Sequence, residues 1–203
     1  MKGVAQPYEY HQEGDVWEHA MRAIESLRNT EHFTQPPSLE VHWAVVFHDI
    51  GKPDTFKVAD DRIRFDGHAS RSAEIARDIM KRLKFPRRMI DHVAWLTEHH
   101  MMMVQLVDMP QHKRLQWFHH PLFLELMEVF YADAAGTDGG EKTPQDFAEK
   151  FDLYEKILTL YRSDLAEMPH PPEPLLTGHE IMELTGLTPG PKVGELTHAL
   201  YEK

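Results

Sequence analysis

Apolar positions recur every three or four residues along most of the chain, the period of helices that bury one face. In GDVWEHAMRAIESL, Val16, Ala20, Ala23, Ile24 and Leu27 form one stripe, His19 falls on it, and Asp15 is placed to cap the helix start. SLEVHWAVVFHDI is apolar all round and predicts a buried helix, capped by Ser38 and ended by Gly51 and Pro53. HASRSAEIARDIMKRL puts Ala69, Ala73, Ala76, Ile79, Met80 and Leu83 on one face, with His68 opening the helix. PRRMIDHVAWLTEHHMM starts on Pro86 and aligns Met89, Val93, Leu96, His100 and Met103. HHPLFLELMEVFYADAAG predicts a further helix ending near Gly136, with Asp133 in its last turns. Another helix is expected over roughly 145–168, then the stiff stretch PHPPEPLL, then a small helical tail whose Thr177 and Glu180 suit a capping box. The alternation in FKVADDRIRFDG predicts one short hairpin over 56–66. The expected fold class is therefore all-α: a helical bundle over 1–168 with its core at about 12–137, and a proline-rich linker with a small helical tail over 169–203.

Composition narrows the functional classes. The chain has 203 residues and no cysteine, which excludes disulfides and thiolate ligands. No apolar run approaches the ~20 residues of a membrane span, and the N-terminal residues lack the apolar centre of a secretory signal, so a cytoplasmic protein is expected. The net charge of −11 disfavours nonspecific nucleic-acid binding. Against that stands one basic run, KRLKFPRR, where Lys81, Arg82, Lys84, Arg87 and Arg88 could touch an RNA backbone; a solvated helix end and turn is the favoured reading. MMMVQLVDM reads as gap-filling core or a flexible lip.

Histidine is the outlier, with 15 in the chain. His19, His48, Asp49, His68, one of His99 and His100, and Asp133 each lie on, or at the mouth of, a different predicted helix. Taken singly, His19 could be a core histidine bonded to a carbonyl, His68 a polar first-turn residue and Asp133 a solvated helix end. Taken together they suit a metal centre, because a helical bundle builds one from single inward imidazoles and carboxylates. Such donors fit Mn, Ni, Co, Fe, Zn or Mg, as one or two divalent ions, and a carboxylate such as Asp49 can bridge two. His92 lies on the flank of the same helix as His99, and His119 and His120 read as loop.

The order of these residues resembles that of the HD superfamily of metal-dependent phosphohydrolases. EGDVWEHAM, FHDIGKP, FDGHASRSAEIARDIMKRLKFP, VAWLTEHHM, YADAAG and the closing LLTGHEIMELTGLTPGPKVGELTHALYEK are similar to successive blocks of the HD domain and tail of bacterial CCA-adding tRNA nucleotidyltransferases. That resemblance implies that His19, His48, Asp49 and Asp133 hold one metal. His68 and a histidine of the 99–100 pair would complete a second site sharing Asp49, and Lys52 would face substrate phosphate. Block order favours His99 and is ranked first; helical phase favours His100. The glycine-rich nucleotidyltransferase head of those enzymes is not seen here, so CCA addition by that chemistry is not expected of this chain. The leading expectation is a metal-dependent phosphohydrolase, a phosphomonoesterase or 2′,3′-cyclic phosphodiesterase on nucleotides or related small phosphate esters. A mixed-valent di-iron oxygenase, which shares the ligand set, and a noncatalytic tRNA- or RNA-binding module are the alternatives.

Overall fold

In the computed structural model, which describes residues 1–6, 14–28, 33, 35–59, 63–137, 144–170 and 176–201, the helix phases read from the apolar stripes are the ones the chain adopts. In chain order the elements are α1 (Val16–Ser26), α2 (Leu39–Phe47), α3 (Lys52–Thr55), β1 (Lys57–Val58), β2 (Ile63–Arg64), α4 (His68–Arg82) and α5 (Arg87–His99). A 3₁₀ turn (His100–Met102) follows, then α6 (Met103–Leu106), α7 (Gln111–Phe118), α8 (Phe123–Gly136), α9 (Pro144–Glu167), α10 (Gly178–Thr185) and α11 (Pro191–Tyr201). The fold is all-α apart from the hairpin, whose strands pair antiparallel with Lys57 opposite Arg64 and Val58 opposite Ile63.

The capping chemistry follows the sequence. The Asp15 carboxylate accepts from the Trp17 and Glu18 N–H groups, Ser38 accepts from Val41, and Thr177 with Glu180 forms the capping box. Two positions depart from the stripes. Leu83 is 53 % exposed and Leu39 61 % exposed. Leu83 lies past the end of α4, where Lys84 turns left-handed at φ 64° and the Phe85 N–H returns to the Met80 carbonyl. Leu39 occupies the first turn of α2, outside the packed part of that helix.

Contacts group the chain into two compact units, Met1–Asp108 with Pro121–Leu160, and Met109–His120 with Tyr161–Lys203. In the first, α4 packs along α5, α1 along α8, and α2 against α1, α5 and α8. Val16, Ala20 and Ala23 meet the core from α1, Val41, Ala44 and Val45 from α2, Ala73, Ala76 and Met80 from α4, and Leu126, Met127 and Val129 from α8. Two glycines permit the closest approaches. A Cβ on Gly136 would sit 2.7 Å from the Ala23 nitrogen, so α8 and α1 meet backbone to backbone there. A Cβ on Gly51 would sit 2.6 Å from the Ser72 nitrogen and 2.7 Å from the His68 carbonyl oxygen, and the Gly51 N–H donates to Ser72 Oγ at 2.8 Å. In the second unit, α10 packs on α11, and the guanidinium of Arg114 donates to Asp164 at 2.7 Å and to the Met109 carbonyl at 2.8 Å. That buried pair ties 109–120 to the end of α9, so the partition runs through the long helix and not at the proline-rich stretch. Among the described residues, no helix is long and apolar enough to cross a membrane.

Candidate metal centre

The end of α2 is where the chain is most constrained. The helix tightens after Phe47 into successive short turns: Ile50 N–H bonds to the Phe47 carbonyl, Lys52 to Asp49 and Asp54 to Gly51. His48 and Asp49 leave that turn into the bundle interior, 1 % and 2 % exposed. Gly51 brings the turn against the start of α4 and so sets His68 opposite Asp49. At the other side, the close approach at Gly136 brings α1 to α8, one turn from His19 and Asp133 respectively.

Two groups of donors result: His19, His48 and Asp133; and Asp49, His68 and His100, the ligand atoms of each lying within 4.8 Å of one another. His19 Nε2 lies 2.9 Å from Asp133 Oδ1 and 3.2 Å from His48 Nε2. His68 Nε2 lies 3.3 Å from His100 Nε2. Asp49 stands between the groups. Its Oδ2 is 3.3 Å from His48 Nε2 and 3.9 Å from His19 Nε2, and its Oδ1 is 3.4 Å from His68 Nε2. Lys52, one turn on, places Nζ 2.6 Å from Asp49 Oδ2.

The expected residues are thus brought together, with one correction. His100, not His99, reaches the cluster. The His99 ring turns away, donating Nδ1–H to the Trp95 carbonyl at 2.8 Å and stacking on the Trp95 ring at 4.5 Å. Helical phase was the better guide because the 3₁₀ turn after α5 keeps position 100 on the buried stripe of Val93 and Leu96. His92 stands apart from the cluster, its Nε2 3.2 Å from Glu125. His119 and His120 lie in the turn after α7. The side chains of the basic run are exposed, and Arg87 pairs with Asp91 at 2.8 Å.

The donor chemistry fits a metal. Three of the imidazoles bond through Nδ1 to a backbone carbonyl: His48 to Val45 at 2.7 Å, His68 to Phe65 at 2.9 Å and His100 to Thr97 at 2.7 Å. A carbonyl only accepts, so each Nδ1 carries a proton and Nε2 is the atom turned to the cluster, presenting a lone pair whenever the ring is neutral. Those Nε2 atoms face one another and two carboxylates at about 3 Å, a donor set that a cation can hold together. Asp49 Oδ2 is buried and, among the described residues, accepts no aligned hydrogen bond; the Lys52 ammonium is near it but off the line of one.

The electrostatics agree. Burial opposes charge on His48, but the charge of Asp49 beside it and the hydrogen bond and charge of Asp133 outweigh it and raise it to about 10. The same carboxylates are held well below the usual range against burial: Asp49 by the charges of His48 and Lys52, Asp133 by hydrogen bonds from His19 and His48. Burial lowers His68, and burial with the His48 charge lowers His100 to about 4, so both favour the neutral form that ligates. The carboxylates therefore draw positive charge to one end of the cluster while the other keeps its lone pairs free.

Two contributors were not found in the sequence. Ser72 carries no periodic signal in the sequence, yet its hydroxyl accepts from the Gly51 N–H and fixes that turn. Gln6, in a segment without apolar period, sends its amide oxygen to 2.7 Å from Lys52 Nζ.

Comparison with known proteins identifies the family. The HD domain family pattern matches residues 15–137. The chain is 36% identical over 193 residues to the A-adding tRNA nucleotidyltransferase of Deinococcus radiodurans, covering 93% of this chain and 42% of that protein. It is 35% identical over 192 residues to the CC-adding tRNA nucleotidyltransferase of Thermus thermophilus, covering 92% and 40%. A Multifunctional CCA protein of Azoarcus sp. is 35% identical over 103 residues, covering 51% and 23%. The chain thus spans under half the length of these relatives. The matched segment carries every helix and turn that supplies the cluster, and the chain belongs to the HD domain family.

Proposed function

We propose that this protein is a metal-dependent phosphohydrolase acting on phosphomonoesters or 2′,3′-cyclic phosphodiesters of nucleotides or related small molecules. The observation that carries the reading is Asp49, whose two oxygens face two separate imidazole groups while an ammonium stands beside it. His19, His48 and Asp133 would hold one divalent ion and His68 and His100 a second, with Asp49 shared. When bound, such ions supply Lewis acidity toward phosphoryl oxygens and acidify water.

The protein's own groups do the rest. Substrate approaches from the side of Asp133 and His68, whose side chains are 27 % and 12 % exposed. Burial of the other donors keeps water out and strengthens every charge interaction at the reacting phosphorus. Lys52 provides a fixed positive charge for a nonbridging phosphoryl oxygen while its stem stays packed. The fixed Nδ1 bonds hold the imidazoles in place, so no reorientation is needed as charge develops.

The test is elemental analysis of the purified protein, followed by turnover of p-nitrophenyl phosphate and 2′,3′-cyclic AMP with each of Mn, Co, Ni, Fe, Zn and Mg, with and without chelator. Chelator-sensitive hydrolysis supports the reading. Two bound irons with oxygen consumption and no hydrolysis would replace it by the oxygenase. A second reading, RNA contact through 81–88, draws on the relatives that are tRNA nucleotidyltransferases. It requires tRNA binding that falls steeply with salt and is lost on Arg87→Glu with Arg88→Glu.

A further inference from the structure

The N-terminal segment lies ahead of the matched family region, yet it ends at the metal centre. Its course is fixed by the start of α1. The Gly3 N–H donates to Asp15 Oδ2 at 2.6 Å, and the Val16 N–H donates to the Val4 carbonyl at 3.2 Å. The residue that caps the His19 helix therefore also anchors the strand of chain leading to Gln6. Gln6 is polar yet only 6 % exposed, and it contacts Lys52, a charged side chain of the centre that is not a metal donor.

The two ends of its carboxamide are not equally used. Oε1 accepts from Lys52 Nζ at 2.7 Å. Nε2 is fully buried and has no hydrogen-bond partner among the described residues. It belongs to the same carboxamide as Oε1, and Oε1 and Asp49 Oδ2 both contact the Lys52 ammonium. A buried donor left unpaired is costly unless something accepts from it. Asp49 Oδ2 and Gln6 Oε1 lie 2.6 and 2.7 Å from the Lys52 ammonium, which has a third N–H to give.

We propose that Gln6 is a substrate-binding residue of this centre, its amide N–H and the Lys52 ammonium forming a two-donor clamp for one oxygen-rich anionic group, a phosphoryl group. This rests on the phosphohydrolase reading. In the clamp Gln6 Oε1 orients the ammonium and Gln6 Nε2 donates to a nonbridging oxygen. The pairing engages two nonbridging oxygens of a tetrahedral oxyanion, which phosphomonoesters and phosphodiesters both present.

The experiment uses the full chain, metal-loaded, with inorganic phosphate as probe. Phosphate affinity by calorimetry, metal content, melting temperature and turnover are measured for wild type, Gln6→Ala and Gln6→Glu. Glutamate keeps the acceptor for Lys52 but puts an oxygen where the donor was. Expected are unchanged metal content, about ten- to hundredfold weaker phosphate binding for Gln6→Ala, the scale of one hydrogen bond to a charged group, and weaker binding still for Gln6→Glu. The loss should appear in KM for monoesters and cyclic diesters alike. Gln6→Glu binding phosphate as wild type does would overturn the clamp while leaving the hydrolase reading intact. Failure of the wild type to bind phosphate overturns the clamp as well. Phosphate binding that depends on Gln6 without any turnover would support the clamp and sink the hydrolase instead.

Discussion

Lys52 and Asp49 lie one tight turn apart, yet their substitutions should have different consequences. Asp49 offers an oxygen to each imidazole group, whereas Lys52 offers none. Lys52→Ala is expected to leave metal content near normal and to slow phosphate-ester turnover by roughly ten- to a thousandfold, the scale of losing one charge-stabilising donor. An unchanged rate with a lowered melting temperature would reduce Lys52 to a brace for the turn. The neighbouring histidines allow a sharper comparison. His100→Ala should weaken metal binding by more than about tenfold, and His99→Ala should leave it unaltered, because only the former ring faces the cluster. Metal titration of the two variants side by side decides this. At this scale much was legible but not all: inward phase pointed to His19 and to His100, while block order put His99 ahead of it, and the apolar run ending in His48 and Asp49 demanded compensation for two buried polar groups. Gln6 was illegible because nothing periodic precedes α1. Its role comes from where Asp15 and Val4 steer the chain.

Elements meet closely at glycines, and two of those contacts set the spacing of the donors. Gly136→Ala would press a methyl group into the backbone of α1 at Ala23, and Gly51→Ala would press one into Ser72 and His68. Neither contact can yield by turning a side chain. Each substitution should cost about 1–3 kcal/mol, seen as a lower melting temperature, and should weaken metal binding by moving whole helices apart. From sequence, Gly51 reads as a helix stop and Gly136 as a helix end; that each also lies under another backbone depends on tertiary placement no local pattern encodes. Helix α7 was passed over for a related reason. It is short, and its buried Arg114 looks like a surface residue until Asp164 is seen against it. Helix α8 carries a pH dependence of its own. Burial, with the Glu125 charge added, raises Glu128 from its ordinary 4.5 to about 7. Between those values the folded chain binds more protons than the unfolded one, so stability falls as pH rises from about 4.5 to 7. Melting curves should show Glu128→Gln more stable than wild type at pH 8 and equal to it below pH 4.5.

For the molecule as a whole, the question is whether the cation builds the fold or only enters it. Small metal domains that lack a core are unfolded without their ion. Here the bundle has an apolar core of its own, from Val16 on α1 to Val129 on α8, and the donors hang from its helix ends. The three Nδ1 bonds give this a further consequence. Each reaches back three residues along its own chain, to Val45, Phe65 and Thr97; at Phe65 the ring adds to the backbone bond from the His68 N–H, and at Val45 and Thr97 it pins the carbonyl at the end of its own helix. The rings act as splints for the backbone before any ion arrives. The empty cage should therefore survive chelation as a folded protein and refill reversibly. By the same logic, His48→Ala and His100→Ala should melt below the wild type even in excess chelator, since removing the ring unpins the end of the helix that bears it.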